Sequence, residues 1–364
     1  MPPFFQPFKM YNLDECPEHK AKLKKEEALK YLRDMMVIRR MESVASNLYK
    51  NKQIRGFLHL CIGQEAVCVG IHAAMRPEDH LITAYRCHGY AYLMGVSVLG
   101  ILAELFGKEN GCARGKGGSM HMYAPKFYGG NGIVGAQVPL GVGVALSEKM
   151  MGTKGVCFAL YGDGAANQGQ IFEVMNIAQL LKLPAIFVCE NNQYGMGTST
   201  GRHSMNTEYY TRGDVIPGIW VEGMDVLACK NAAAFAINHA LTKGPIVMEF
   251  FTYRYHGHSM SDPGTSYRDR KEVEEVRKTR DPIQNFRNTL YDLKFLTEEE
   301  AKKMDKDVRE EVETASKTGL ESKEVPLTEL ASDMYLKNFE PNIRGTLGYN
   351  LKHELFGKTF IPFK

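Results

Sequence analysis

No apolar run in this chain approaches the length of a membrane span. Its eight cysteines, at 16, 61, 68, 87, 112, 157, 189 and 229, form no CxxC pair. That spacing argues against a zinc site. Cys157 and Cys189 fall inside predicted buried strands, which points to reduced thiols rather than a disulfide framework. No basic stretch is interleaved with aromatics, and a net charge of +3 is too mild to imply nucleic acid. The opening segment MPPFFQPFKMYNLDECPEHK carries no signal peptide and lacks the Arg- and Ser-rich character of a mitochondrial presequence. The expectation is a cytoplasmic chain, or one whose presequence has been left out. No internal repeat is present. What remains is an ordinary globular composition, 44% hydrophobic and 24% charged, over 364 residues. That length can bury a sizeable core in one large or two ordinary domains.

The chain is organised around the stretch 156–197, VCFALYGDGAANQGQIFEVMNIAQLLKLPAIFVCENNQYGMG. Two apolar runs, Val156–Tyr161 and Ala185–Cys189, read as buried strands. Between them Ile171, Val174, Met175, Ile177, Ala178, Leu180 and Leu181 recur at helical spacing. Strand, helix and strand at this length make a right-handed parallel crossover. Both strands then end in polar clusters, Gly162-Asp163-Gly164 and Glu190-Asn191-Asn192, at the edge where open α/β sheets bind ligands. The Asp163 carboxylate, the Asn192 amide oxygen and the carbonyls of the following turn are hard oxygen donors, few in number. Magnesium prefers such a set and completes its shell with water and phosphate oxygens. Glycines beside Asp163 admit a phosphate closely, and a helix starting near Gln168 aims its amino end at the same place. The spacing predicts a Mg-diphosphate site.

Periodicity outlines the rest. A long amphipathic helix is expected over 25–52, helices over Glu65–Ala74 and Tyr90–Phe106, and a short strand over His80–Tyr85. Residues 107–143 are rich in glycine but keep scattered Met, Tyr, Phe and Ile, which reads as an ordered loop around a ligand, its end overlapping a helix at Val138–Met151. Ile219–Glu222 and Pro245–Phe251 read as further strands and Ala232–Ala240 as helical. The last strand again runs into polar residues, TYRYHGHSMSDPGTSYR. From Asp269 the charge density rises and helical patterns dominate, with starts at Asp281-Pro282 and at Thr297. The aromatic tail from Phe339 to Lys364 is expected to pack on a partner chain.

GDG followed one crossover later by NN resembles the thiamine diphosphate motif. GDGAANQGQIFE, ENNQYGMGTS, GIVGAQVPLG, GKGGSMHM and YRYHGHSMSDPG together resemble the alpha chains of thiamine diphosphate-dependent 2-oxo acid dehydrogenases. The likeness is strongest to the decarboxylating component of pyruvate dehydrogenase, with branched-chain 2-oxo acid and acetoin dehydrogenases as the nearer alternatives. A catalytically silent Mg-nucleotide-binding scaffold subunit is the alternative of another class. The resemblance covers roughly residues 39–270. It implies an α/β, thiamine diphosphate-binding fold: a mostly parallel sheet flanked by helices, in a domain over 55–268. Helical extensions are expected over 1–54 and 269–364.

The resemblance also assigns roles. Asp163, Asn192 and the Tyr194 carbonyl would ligate Mg2+. His59, Tyr85, Arg86, Gly164 and Ala165 would approach the diphosphate. Gly132 and Val134 would meet the aminopyrimidine, Met196 would hold the cofactor bent, and Ala124, Gly195 and His258 would complete its surroundings. His258 and His59 are the expected catalytic histidines, and His256 is expected to be structural. A guanidinium at a strand end suits phosphate, so Arg86 makes sense without the family as well. No glutamate in an apolar strand-end context stands out to serve the aminopyrimidine. Glu65, near His59, is a candidate by proximity alone and reads more simply as a helix-surface residue. The family's glutamate comes from a beta subunit, so two alpha and two beta chains are implied, with this chain inactive alone. Pyruvate would be decarboxylated and its two-carbon unit passed to a lipoyl domain of the dihydrolipoyl acetyltransferase component. Ser199, Ser259 and Ser266 resemble phosphorylated positions of eukaryotic members, implying a kinase, a phosphatase and residence in the mitochondrial matrix, or the cytoplasm if the chain is bacterial.

Overall fold

A computed structural model describes residues 8–18, 23–327 and 329, together with two short strands, Asn342–Ile343 and Glu354–Leu355, paired antiparallel. The remainder of the C-terminal tail lies outside the described residues.

In chain order the elements are β1 (Lys9–Tyr11), α1 (Lys25–Lys50), α2 (Glu65–Ala74), β2 (His80–Ile82), α3 (His88–Leu93), α4 (Val98–Leu105) and α5 (Gln137–Met151). The central crossover follows: β3 (Cys157–Gly162), α6 (Gly169–Leu180) and β4 (Ala185–Asn191). A small hairpin, β5 (Tyr194–Gly195) and β6 (Thr198–Ser199), leads into α7 (Thr200–His203). Then come β7 (Gly218–Glu222), α8 (Val226–Thr242), β8 (Ile246–Phe251), α9 (Arg270–Arg280), α10 (Pro282–Asp292) and α11 (Glu298–Glu321).

Six strands form one sheet in the order β1-β7-β8-β4-β3-β2, all parallel except β1. Alternate residues of the central strands face opposite cores. Phe158, Leu160, Ile186 and Val188 join the cluster under α1, α2 and α8, while Ala159, Tyr161, Phe187 and Cys189 join the one under α5 and α6. Burial on both faces explains why β3 and β4 read as continuous apolar runs. The helix after β3 and the helix before β8 cover opposite faces, so the chain reverses its winding beside β4. That is the switch point at which a crevice opens beyond the carboxyl ends of the strands.

Several expectations change in detail. The helix expected over Tyr90–Phe106 is two helices. Gly95 has φ +104°, which breaks the first, and Ser97 starts the second by accepting from the Gly100 amide. The strand expected to reach Tyr85 leaves the sheet after Ile82, and the Thr83 amide donates to Gly129 O instead. The amino-terminal part, expected to be helical, also supplies β1, the antiparallel edge beside Trp220. Glu65 is not a surface residue: it is fully buried, held by Arg39 Nη2 at 2.9 Å and by the Gly63 amide. Asp281 and Thr297 do cap helices, and Thr297 with Glu300 forms a capping box.

The glycine-rich segment is ordered around a carboxylate. Glu104, buried at the end of α4, accepts from the backbone amides of Ala113, Gly115, Gly117 and Gly118. A Cβ on Gly111 would lie 2.3 Å from Glu104 Oε2, so glycine is required where the loop passes it.

Candidate active site

Beyond the carboxyl ends of β3 and β4 lies a cavity of about 360 Å³. Tyr85, Arg86, Val134, Asp163, Gly164, Ala165, Asn192, Tyr194, Gly195, Met196 and His258 all line it. Eleven of the predicted site residues thus meet in one place, although they come from five segments of the chain. His59 stands just behind, its ring centroid 4.4 Å from Tyr85 and 5.2 Å from His258. Gly132 lies beside Met120 and His121 rather than on the cavity wall. Ala124 is drawn away too, paired with Phe127 in an isolated bridge.

The geometry suits an anionic, metal-assisted ligand. Asp163 is 1% exposed. Gly164 and Gly195 bring the two strand-end turns into contact: a Cβ on Gly164 would sit 3.1 Å from Gly195 Cα. The turn after β4 is sharpened by left-handed backbone at Gln193 (φ +73°) and Met196 (φ +56°). Asn192 is half-buried; its Nδ2 faces Gln64 Oε1 at 3.4 Å, and its Oδ1 accepts from Tyr194 N at 3.4 Å with a second lone pair to spare. Asp163, Asn192 and the Tyr194 carbonyl are therefore oxygen donors on one cavity, the chemistry that magnesium takes. α6 begins where the sequence places it: after a 3₁₀ turn, Ala165–Asn167, Gln168 caps the helix with its own side chain.

Cationic and imidazole groups surround these donors. Arg86 is buried with its guanidinium spanning two carbonyls, donating to Leu60 O and, at 3.0 Å, to His258 O. It therefore ties the His59 segment to the His258 segment as well as facing the cavity. Arg254 is fully buried and donates to the Met196 carbonyl at 3.1 Å, while its Nε and Nη1 have no hydrogen-bond partner. Burial, then the charge of Arg86, lowers its pKa to about 10. Burial, followed by the Arg86 charge, also lowers the pKa of His59 to about 2 and that of His258 to about 4. Both shifts favour the neutral imidazole. The His59 Nδ1 is buried without a partner.

The turn after β8 is built around Asp262. It accepts from the His258 amide at 2.6 Å, from Gly264 N at 2.9 Å and from Tyr267 OH. Arg268 donates to the carbonyls of Arg254 and His256. Ser259 is 8% exposed, with Oγ 2.8 Å from Ser261 Oγ. Ser266 is exposed, and Ser199 is half-buried opposite Tyr194 in the β5–β6 hairpin.

The profile of the family described as "Dehydrogenase E1 component" matches residues 33–327. The chain belongs to this family. Among E1 relatives it is 57% identical over 341 residues to the probable pyruvate dehydrogenase E1 component subunit alpha, mitochondrial, of Caenorhabditis elegans, covering 93% of this chain and 86% of that one. It is 55% identical over 337 residues to the somatic-form subunit alpha of Homo sapiens (92% and 86% covered). The type II subunit alpha of Ascaris suum is 54% identical over 342 residues (94% and 88%).

This E1 chain also holds site residues that sequence reasoning missed. A buried relay joins α1 to the glycine-rich loop: Glu42 Oε2 lies 2.9 Å from His88 Nδ1, and His88 Nε2 lies 3.0 Å from Ser119 Oγ. Glu42 also accepts from the Cys61 amide, two residues from His59. A strand-end glutamate exists after all. Glu190, within β4, accepts from Tyr90 OH at 2.9 Å, and burial raises its pKa to about 7. It lies away from the cavity wall, on the α3 side of the sheet. His203 and Asn167 do line the cavity. A polar loop of unremarkable composition concealed the first, and only its position in space reveals it.

Proposed function

We propose that this E1 chain is the alpha subunit of a pyruvate dehydrogenase, acting with thiamine diphosphate and Mg2+ in the oxidative decarboxylation of pyruvate. The observation that carries this reading is the convergence of Asp163, Asn192, Tyr194, Arg86 and His258 on one cavity, in a chain whose named relatives match more than nine-tenths of its length. Bound thiamine diphosphate supplies the nucleophilic carbon and the electron sink for loss of carbon dioxide from a 2-oxo acid. The chain supplies position. Asp163, Asn192 and the Tyr194 carbonyl hold the metal. Arg86 meets the diphosphate, with Gly164 and Ala165 allowing close approach. Val134 and Met196 flank the rings, and Gly132 contributes through the same loop. His258, with His59 behind it, holds and moves a proton at a neutral imidazole nitrogen near the substrate.

A beta subunit completes the site. Asp163 is the sole carboxylate on the cavity among the described residues, so the acid needed by the aminopyrimidine must arrive with another chain. The outward faces of α5 and α6 favour such a partner: Leu140, Met150, Met151, Phe172 and Leu180 are all exposed there. Isolated apolar residues on a surface are common, but this many on two adjacent helices suit an interface. The relatives' names place them in mitochondria, which supports the matrix as this chain's site of action. A lipoyl domain receives the two-carbon unit. With the beta chain present, turnover with pyruvate exceeds that with branched-chain 2-oxo acids; a preference for the latter, in steady-state assays, reassigns the substrate.

Ser199, Ser259 and Ser266 are the proposed regulatory positions, served by a kinase and a phosphatase. A phosphate on Ser259 adds about 1.5 to 2 negative charges beside His258, against the entry of an anionic substrate. Because Ser259 is buried, the turn must open to admit modification. Stoichiometric phosphorylation at Ser259, verified by mass spectrometry, is expected to lower activity more than about tenfold, by the like-charge repulsion and lost hydrogen bonds of such a phosphate. Full activity in that preparation contradicts the assignment.

A further inference from the structure

α7 is a single four-residue turn whose last residue, His203, reaches the cavity beside Asp163. Its Nε2 lies 3.2 Å from Asp163 Oδ2. The same ring edge touches the second strand-end turn, since a Cβ on Gly195 would stand 3.5 Å from His203 Nε2. His203 thus sits where the two loops that would hold a metal–diphosphate come together.

The direction of each hydrogen bond follows from a partner that has no choice. A guanidinium can only donate. Arg212 Nη2 lies 3.0 Å from Asn167 Oδ1, and this donor fixes which end of the Asn167 amide is oxygen. The amide nitrogen Nδ2 then faces His203 Nδ1 at 3.0 Å, His203 O at 3.2 Å and Ser204 Oγ at 3.0 Å. The Asp163 carboxylate can only accept, so His203 Nε2 carries a proton and gives it to Asp163. Ser204 fits the same order. Its Oγ accepts from Tyr209 OH at 2.9 Å, donates to Asn167 Oδ1 at 3.2 Å and stands 2.9 Å from His203 Nδ1. Arg212, Asn167 and His203 thus form one connected set of contacts that ends on Asp163.

We infer that His203 is a positioning residue for the metal anchor: its Nε2–H commits Asp163 Oδ2 and reserves Oδ1 for the cation. This rests on the magnesium–diphosphate reading of the cavity. The physical consequence is specific. A carboxylate with both oxygens free can rotate or chelate through both, which suits larger ions. One oxygen held in advance enforces single-point ligation, the mode a small octahedral ion accepts, and removes rotational freedom that binding would otherwise have to freeze. Asn167 and Arg212 act one and two steps further out, by holding the ring in place.

The test uses the assembled enzyme with its beta chain and measures Mg2+ binding by calorimetry at saturating thiamine diphosphate. His203→Ala is expected to raise the Mg2+ dissociation constant about 10- to 100-fold, the range for loss of a hydrogen bond to a metal ligand. Excess Mg2+ recovers the bound fraction. His203→Gln, whose side-chain N–H can replace Nε2–H, is expected to recover most of the affinity. An unchanged or lower dissociation constant in His203→Ala, with the parent binding normally, overturns the inference. Should His203→Ala not assemble, Asn167→Ala is held to the same expectation and the same refutation. A parent enzyme that binds no Mg2+ in the presence of thiamine diphosphate defeats the cavity reading itself, a separate outcome.

Discussion

Asp163→Ala is expected to abolish Mg2+-dependent retention of thiamine diphosphate in the assembled enzyme. Asp163 is the cavity's one carboxylate among the described residues and is almost fully buried, so no neighbour can replace its charge. The neighbouring groups are cationic or neutral. Arg86 and Arg254 lie close enough to depress the pKa of His258, and without Asp163 that positive field meets a divalent cation unopposed. The loss exceeds the 10- to 100-fold typical of a residue that only supports a ligand, and we expect it to be at least about 1,000-fold in metal affinity. Equilibrium dialysis with Mg2+ and thiamine diphosphate measures it directly. Asp163→Asn keeps the shape and removes the charge, and it should behave nearly as badly. Retention at the parent level in either variant refutes Asp163 as the metal ligand.

The second large effect needs no substitution. Purified without a beta chain, this subunit should release no carbon dioxide from pyruvate above background, and adding that chain should restore turnover. A missing acid–base carboxylate alone costs about 10²- to 10⁴-fold. Here the cofactor also loses half of its enclosure, because Val134 is 48% and Met196 65% exposed on the open side. Light scattering should show the two chains associating as the apolar faces of α5 and α6 are covered, each large apolar side chain contributing about 1.5 to 3 kcal/mol when fully buried. Activity of the lone chain comparable to that of the complex sinks the shared-site reading.

Local chemistry made much of this legible. The β3–α6–β4 crossover announces itself because its apolar periodicity changes from continuous to helical and back within one short stretch. Its polar ends stand out because carboxylate, amide and glycine are costly inside a core unless they serve something. α2 matches its expected bounds because a helix needs only its own residues to define its length. The failures are those of long-range accounting. Glu65 looked like a surface residue because its partner, Arg39, is 26 residues away. The turn at Gly95 was overlooked because apolar spacing runs on across it, while the backbone does not. The strand expected over Ala185–Cys189 runs two residues further, because the ladder carries β4 through Glu190 to Asn191, opposite Phe251.

Strand, helix and turn propensities, the family and the proposed metal-side donors are all written along the chain, since each depends on residues close in sequence. Which residues meet is not, because closing a contact between distant segments depends on how the whole sheet packs. Tertiary structure alone set Arg86 across the carbonyls of Leu60 and His258, closed the relay of Glu42, His88 and Ser119, and moved Ala124 off the cavity. It also brought His203 to Asp163 across 40 residues.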